Sequence, residues 1–188
     1  AGIVTVAMAK AVGEEGGVLA FESQSFIYYM LCGNLAINHI TNSQAFNRAI
    51  GDTGGRSFYV PNFTYKEDVD FSGIGYAARI GAEDAQGHTY CKPVAALTVD
   101  ELNLKDLHLA RVDLAGSELQ ALMGARATIR RCRPILYIRM TKNFEEILEF
   151  LKVENYGWSV VDVNEKGRRL AILAYPSSAD TTEWFEGP

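Results

Sequence analysis

Apolar and polar positions divide the chain into segments of helical and of extended period. Residues 3–12 are rich in Ala and Val, with Lys10 as their only charge, and they predict a buried helix stopped by Gly13. Gly16-Gly17 then turns the chain into Val18-Leu19-Ala20-Phe21, a short apolar run closed by Glu22. Such a run fits an inner parallel strand, buried on both faces. Phe26, Ile27, Met30, Leu31 and Leu35 recur at helical spacing up to Asn38. Residues 44–50 read as one strand, closed by the turn Gly51-Asp52-Thr53-Gly54-Gly55.

Between Arg56 and Pro93 no period survives, which predicts an irregular insert over residues 56–93 of a single domain spanning 1–188. Order returns with a strand over Leu107–Leu114. Ser117 and Gln120 form a capping-box signature for a helix carrying Leu119, Leu122, Met123 and Ile129. Arg133-Pro134 stops that helix and opens the strand Ile135-Leu136-Tyr137-Ile138. Asn143 with Glu146 starts another helix by the same logic, and Gly157 follows its end. Trp158–Val163 and Leu170–Tyr175, joined by Asn164-Glu165-Lys166-Gly167, predict an antiparallel hairpin. Alternating strands and helices imply an α/β fold with a mainly parallel sheet covered on both faces. Two strands end in a carboxylate, Glu22 and Asp113. Ligands of open α/β sheets bind beyond the carboxyl ends of the strands, so both acids are expected to face one crevice.

Composition narrows the function classes. A length of 188 residues suits one α/β domain, and 48% hydrophobic with 22% charged residues is the profile of a globular chain. A net charge of −5 speaks against nucleic acid as a partner, because such binding rests on Lys and Arg neutralising phosphates. The basic cluster Arg126, Arg130, Arg131 and Arg133 falls at a helix end, where it complements the dipole. Cys32, Cys91 and Cys132 are too scattered for a disulfide framework or a zinc site, so they are expected to be small buried residues in a reducing cytoplasm. His39, His88 and His108 show no metal-ligand spacing, and no metal is expected. No apolar run approaches the ~20 residues that span a bilayer, so no membrane partner is expected. The apolar opening lacks the basic front and cleavage site of a signal peptide.

Several stretches, in order, resemble the FkbM-like S-adenosylmethionine-dependent methyltransferases. Gly2-Ile3-Val4-Thr5 and the Ala-rich helix are similar to the tail of that family's glycine-rich first motif. Val18-Leu19-Ala20-Phe21-Glu22 followed by Leu31-Cys32-Gly33-Asn34-Leu35-Ala36 resembles its second strand and helix. Leu97-Thr98-Val99-Asp100-Glu101-Leu102 is similar to its T-L-D-D-L segment, and Arg111-Val112-Asp113-Leu114-Ala115-Gly116-Ser117-Glu118, ending at Gly124-Ala125, to K-I-D-V-E-G-x-E and L-x-G-A. Arg133-Pro134-Ile135-Leu136 sits where the family has its next strand. The resemblance implies a Rossmann-like class I methyltransferase sheet with an antiparallel C-terminal hairpin. It implies methyl transfer from S-adenosylmethionine to an oxygen of a small molecule or sugar, and it is compatible with a homo-oligomer. By this resemblance Glu22 binds the ribose hydroxyls, Asp113 lies by the methionine part or the acceptor, and Gly2 opens the first helix where a side chain would obstruct the cofactor.

The chain departs from the family in three places. It starts inside the first motif, so the first strand of the sheet is expected to be missing from this sequence, which reads as a fragment. Ala115 stands where the family has Glu, and the strand expected to end near Glu-Asn ends in Arg139-Met140. Together these change the local charge by about two units. They motivate a second reading, an inactive domain that keeps the fold as a binding scaffold. A nicotinamide oxidoreductase suits Glu22 but not the terminal hairpin. A strand-end carboxylate can also cap the next helix or pair with a base. Glu118 stands in the first turn of a helix, where the dipole favours it, and reads as structural. Tyr28, Tyr29 and Trp158 read as packing residues. His88 and His108 qualify as bases by residue type alone, so no catalytic base is assigned.

Overall fold

The first apolar segments take the predicted elements, helix α1 over Ile3–Val12, strand β1 over Val18–Phe21 and helix α2 over Ser25–Ile37, but not the predicted burial. In α1 only Ala9 is buried, and β1 pairs with one strand and leaves Leu19 exposed, because its second edge has no partner strand among the described residues. The computed structural model describes residues 1–61, 82–83, 87–139, 142–163 and 169–177. They divide into two compact units, one holding the described residues up to Leu97 and the other those from Thr98 onward. In the first unit β1 pairs in parallel with β2, Ser43–Phe46, in the register Val18↔Ser43 to Phe21↔Phe46. The rings of Phe21 and Phe46 stack at 5.1 Å at the carboxyl end of this pair. Asn42 donates its side-chain amide to Ala9 O (2.8 Å) and Gly13 O (2.7 Å), tying the end of α1 to the start of β2.

The single strand expected over residues 44–50 is two. After β2 the chain breaks at Asn47-Arg48, because the Asn47 amide turns back to bond the carbonyls of Glu22 and Ser23. Strand β3, Ala49–Ile50, then joins a different sheet. There β4, Ser57–Pro61, and β5, Tyr90–Leu97, pair antiparallel, and β5 pairs parallel with β3. Part of the stretch expected to be irregular is therefore strand at both ends; its middle, 62–81 and 84–86, lies outside the described residues. Pro61 sits at a register shift of β4 and Pro93 within β5, and prolines in a strand weaken the sequence signal. Ala49, Val60, Val94 and Ala96 form the small core here, with Phe58 packed on it.

The second unit opens on a 3-10 turn, Asp100–Leu102, with a capping box the sequence reading missed. Thr98 N donates to Glu101 Oε2 (2.7 Å), and Glu101 N donates to Thr98 Oγ1 (3.2 Å). Strand β6 is Leu109–Val112, helix α3 Glu118–Met123, helix α4 Arg126–Cys132, strand β7 Ile135–Arg139 and helix α5 Phe144–Val153. Strands β8, Tyr156–Val163, and β9, Arg169–Pro176, form the expected hairpin. The sheet order is β6-β7-β9-β8, with β6 and β7 parallel and β9 antiparallel to both its neighbours. One face carries Leu136, Ile138, Ile172 and Ala174 against Ile147, Phe150 and Leu151 of α5, with Leu122 and Ile129 completing the core.

Helices α3 and α5 start after Ser117 and Asn143 as predicted, but the helix signals differ in detail. The one helix after Ser117 is two, because Asp100 interrupts it. Its backbone N–H donates to Gly124 O, and its carboxylate accepts from Ala127 N (3.0 Å) and Thr128 N (2.7 Å), so it caps α4. Neither Ser117 nor Asn143 makes a side-chain cap bond. Asn155, at φ 60°, takes the turn after α5, while Gly157 lies inside β8. The basic cluster has a partner beyond the dipole. Arg126 and Arg130 reach the buried Glu154 carboxylate at 2.8 and 2.7 Å, and Arg133 donates to Glu154 O and Asn155 O.

Candidate functional site

Glu22 closes β1 in the first unit, and its backbone N–H donates to Phe46 O (3.0 Å), extending the ladder by one rung. Its Oε1 accepts from Gln24 N (2.7 Å), a bond across the turn that leads into α2. Asn47 braces this turn through the carbonyls of Glu22 and Ser23, and Ser25 Oγ donates to Asn47 Oδ1 at 3.0 Å. The carboxylate is half-buried and forms no ion pair among the described residues. Burial pushes its carboxyl above the usual range, against the pull of the Gln24 and Ser23 amides. Beside it Gln24 is buried, and its Nε2 has no hydrogen-bond partner. Buried polar groups are ordinarily paired, so the partnerless Gln24 amide nitrogen is an exception in this segment. A carboxylate can accept hydroxyl protons, and the Gln24 amide nitrogen carries two donors.

Asp113 closes β6 in the second unit and is placed differently. Arg111, two residues earlier on the same strand, donates to its Oδ2 at 2.6 Å. Arg139, at the end of the neighbouring β7, approaches the same oxygen at 3.6 Å. The Arg111 guanidinium also lies 5.7 Å from the centroid of the Tyr137 ring. Immediately after Asp113 the backbone turns through two left-handed residues, Ala115 (φ 50°) and Gly116 (φ 103°). The buried Glu118 holds this turn: its carboxylate accepts from Leu114 N (3.3 Å) and, through both oxygens, from Gly116 N (3.1 and 3.0 Å). Glu118 is thus the structural residue its position predicts, although it acts on the loop rather than on the dipole.

With this geometry in view, comparison with known families is decisive: the Methyltransferase FkbM domain matches residues 3–159. The chain belongs to the FkbM methyltransferase family. A solved FkbM methyltransferase from Methylobacillus flagellatus superposes with a TM-score of 0.61 at 15% identity, over 92% of this chain and 40% of that one. The likeness supports an α/β fold with helices and mixed sheets; the chain spans about two fifths of the length of that protein. Comparison with curated proteins finds no match.

The remaining expectations for this FkbM domain divide. Gly2 does open α1, at φ 82°, but a Cβ there would stand 2.8 Å from Leu31 Cδ1, so close packing against α2 already demands glycine. Cys91 is exposed, and Cys32 and Cys132 are partly so; the expectation of buried thiols fails because Cys91 lies on an outward position of β5. Trp158 packs on the second core, whereas Tyr29, expected to pack, is exposed beside Tyr28. No helix among the described residues is long and apolar enough to cross a membrane, and no group of metal-ligating side chains occurs among them. A cavity of about 430 Å³, lined by Lys10, Glu14, His39 and Asn42 among others, lies toward the amino-terminal ends of β1 and β2, away from Glu22. Sequence reasoning missed Gln24, Asn47 and Glu154. For Asn47 a signal existed, since Asn47-Arg48 is a polar break in an otherwise apolar run.

Proposed function

We propose that this FkbM domain binds S-adenosylmethionine and takes part in methyl transfer to an oxygen of a small-molecule acceptor in the cytoplasm. The observation that carries the reading is the half-buried Glu22 carboxylate, in no ion pair among the described residues, followed two residues later by the buried Gln24, whose Nε2 has no hydrogen-bond partner. Glu22 would hold the two ribose hydroxyls, for which an ionised carboxylate has acceptor sites to spare. Gln24 would donate to an acceptor atom of the same ligand. The cofactor, when bound, supplies an electrophilic methyl group on a sulfonium sulfur. The protein's contribution is positioning, because such a transfer needs in-line approach and little covalent assistance. Three free thiols are consistent with a reducing compartment.

A second reading, a binding domain without catalysis, draws on Asp113, whose Oδ2 is already held by Arg111. Isothermal titration calorimetry of the full-length protein with S-adenosylmethionine tests the two. The first reading expects binding, and a loss of about tenfold to a hundredfold in Glu22→Gln, the value of one or two hydrogen bonds to a charged group. Unaltered affinity in Glu22→Gln would remove the basis of the first reading. Absence of binding by the parent protein favours the second.

A further inference from the structure

We infer that the methyl acceptor is an anion, held through a carboxylate or phosphate group by Arg139 and Arg111, with Lys142 beside them. The inference rests on the methyltransferase reading for the word acceptor, but its observations are those of the second unit alone. The carboxyl ends of the parallel strands β6 and β7 bring two guanidiniums to one strand-end acid, and the Lys142 stem lies over the loop that follows it. Arg111 satisfies Asp113 at 2.6 Å. Arg139, opposite Asp113 across the β6–β7 ladder, stands at 3.6 Å from the same oxygen, beyond hydrogen-bonding range. Its guanidinium makes no hydrogen bond among the described residues, and its side chain is 48% exposed. Asp113 is therefore charge-matched without it.

Lys142 adds to the excess. Its aliphatic stem lies over Gly116, where a Cβ would meet Lys142 Cδ at 3.1 Å, and it forms no ion pair among the described residues. Apart from Asp113, no acid nearby forms an ion pair with Arg111, Arg139 or Lys142 among the described residues. Glu118 is buried and turned to the amides of Leu114 and Gly116. Glu145 and Glu146 stand in the first turn of α5, and neither pairs with Arg111, Arg139 or Lys142. Asp162 faces Ala171, which in turn faces Arg139, two strand spacings or about 10 Å away. The position is also the right one, since ligands of open α/β sheets meet the carboxyl ends of parallel strands. An arginine fork with unused donors at such an edge matches a planar carboxylate, and equally the oxygens of a phosphate. Ala115, on the same loop, brings no charge that would repel an anion.

The test uses the full-length protein with benzoate, its neutral isostere benzamide, and inorganic phosphate, each titrated by NMR line-shape or calorimetry. Benzoate or phosphate is expected to bind at least ~10-fold more tightly than benzamide, and Arg139→Gln to lose about tenfold to a hundredfold of that affinity. Arg139→Lys should recover part of it, keeping the charge without the fork. Which anion binds more tightly identifies the group. Equal binding of benzoate and benzamide with no phosphate binding, or full anion affinity in a folded Arg139→Gln protein, overturns the inference. S-adenosylmethionine titrated into the same preparation separates the two claims. If it binds while anions do not, the cofactor reading stands and the anionic acceptor falls. If anions bind through Arg139 while it does not, the anion site stands and the cofactor reading falls, and with it the role of that anion as methyl acceptor.

Discussion

Glu118→Gln is the substitution whose outcome the structure constrains best. The side chain is 1% exposed, and its two oxygens together receive the N–H groups of Leu114 and Gly116. Glutamine keeps the volume but offers a single oxygen, and its amide nitrogen must then face a backbone donor. One charge-assisted bond is lost and one buried N–H is left poorly paired, which together cost about 3 kcal/mol. For a chain of this size each kcal/mol lowers the melting temperature by about 2–4 °C, so a fall of roughly 6–12 °C is expected. Thermal unfolding followed by far-ultraviolet circular dichroism reads it, with urea titration to check that the midpoint moves at constant slope. A melting temperature within about 2 °C of the parent would show that the carboxylate does not hold the loop. The turn it braces includes Ala115 in the left-handed region, a conformation costing roughly 1–2 kcal/mol for a residue with a Cβ, so the loop needs such a brace.

Three further outcomes follow. Gly2→Ala should destabilise by about 1–2 kcal/mol or more, from its positive φ and the approach to Leu31, and should leave cofactor affinity nearly unchanged; lost affinity at full stability would give Gly2 the ligand role instead. Glu154→Gln should cost about 1–3 kcal/mol, because two arginines converge on a buried carboxylate. Chiefly through its bond from Arg130, Glu154 is held below the usual carboxylate range. Its contribution is therefore present above the unfolded value and lost as pH falls through the lowered one, so the variant should show a flatter acid-unfolding curve than the parent. Glu22 has the opposite sign: burial raises its carboxyl, so its favourable contribution is full below the unfolded value and fades as pH rises through the raised one. Glu22→Gln should accordingly be at least as stable as the parent at neutral pH while binding cofactor worse. A clear loss of stability there would mean the carboxylate serves the fold.

Apolar runs long enough to carry a period were legible in the sequence. Ile3–Val12, Val18–Phe21, Ile135–Arg139 and the terminal hairpin are where the pattern puts them. The errors cluster where polar side chains decide the backbone. Nothing local to Gly124 announces that Asp100, distant in sequence, will cap α4 and split the helix. Asn47 ends a strand by bonding two carbonyls on another element, and Asn155 replaces glycine at a helix end because it tolerates a positive φ. The site was legible as two acids closing two strands. Their differing surroundings were not, since Glu22 is in no ion pair among the described residues and Asp113 has two guanidiniums. Only folding brings Arg139 level with Asp113, although both the arginine and its oddity in this family could be read beforehand.

The position of β9 has a consequence for how the protein is made. It is the latest-synthesised of the four strands in its sheet, yet it lies between two earlier ones and contributes Ile172 and Ala174, both wholly enclosed. While a ribosome is still extending the chain, β7 and β8 have no common neighbour, and their inner edges stay open for a time on the order of seconds. The second unit therefore cannot close its sheet as it emerges, and termination after Val163 but before Arg169 would leave the β7 and β8 edges that β9 joins both unpaired. Such a product is a substrate for chaperones and proteases rather than a smaller working domain.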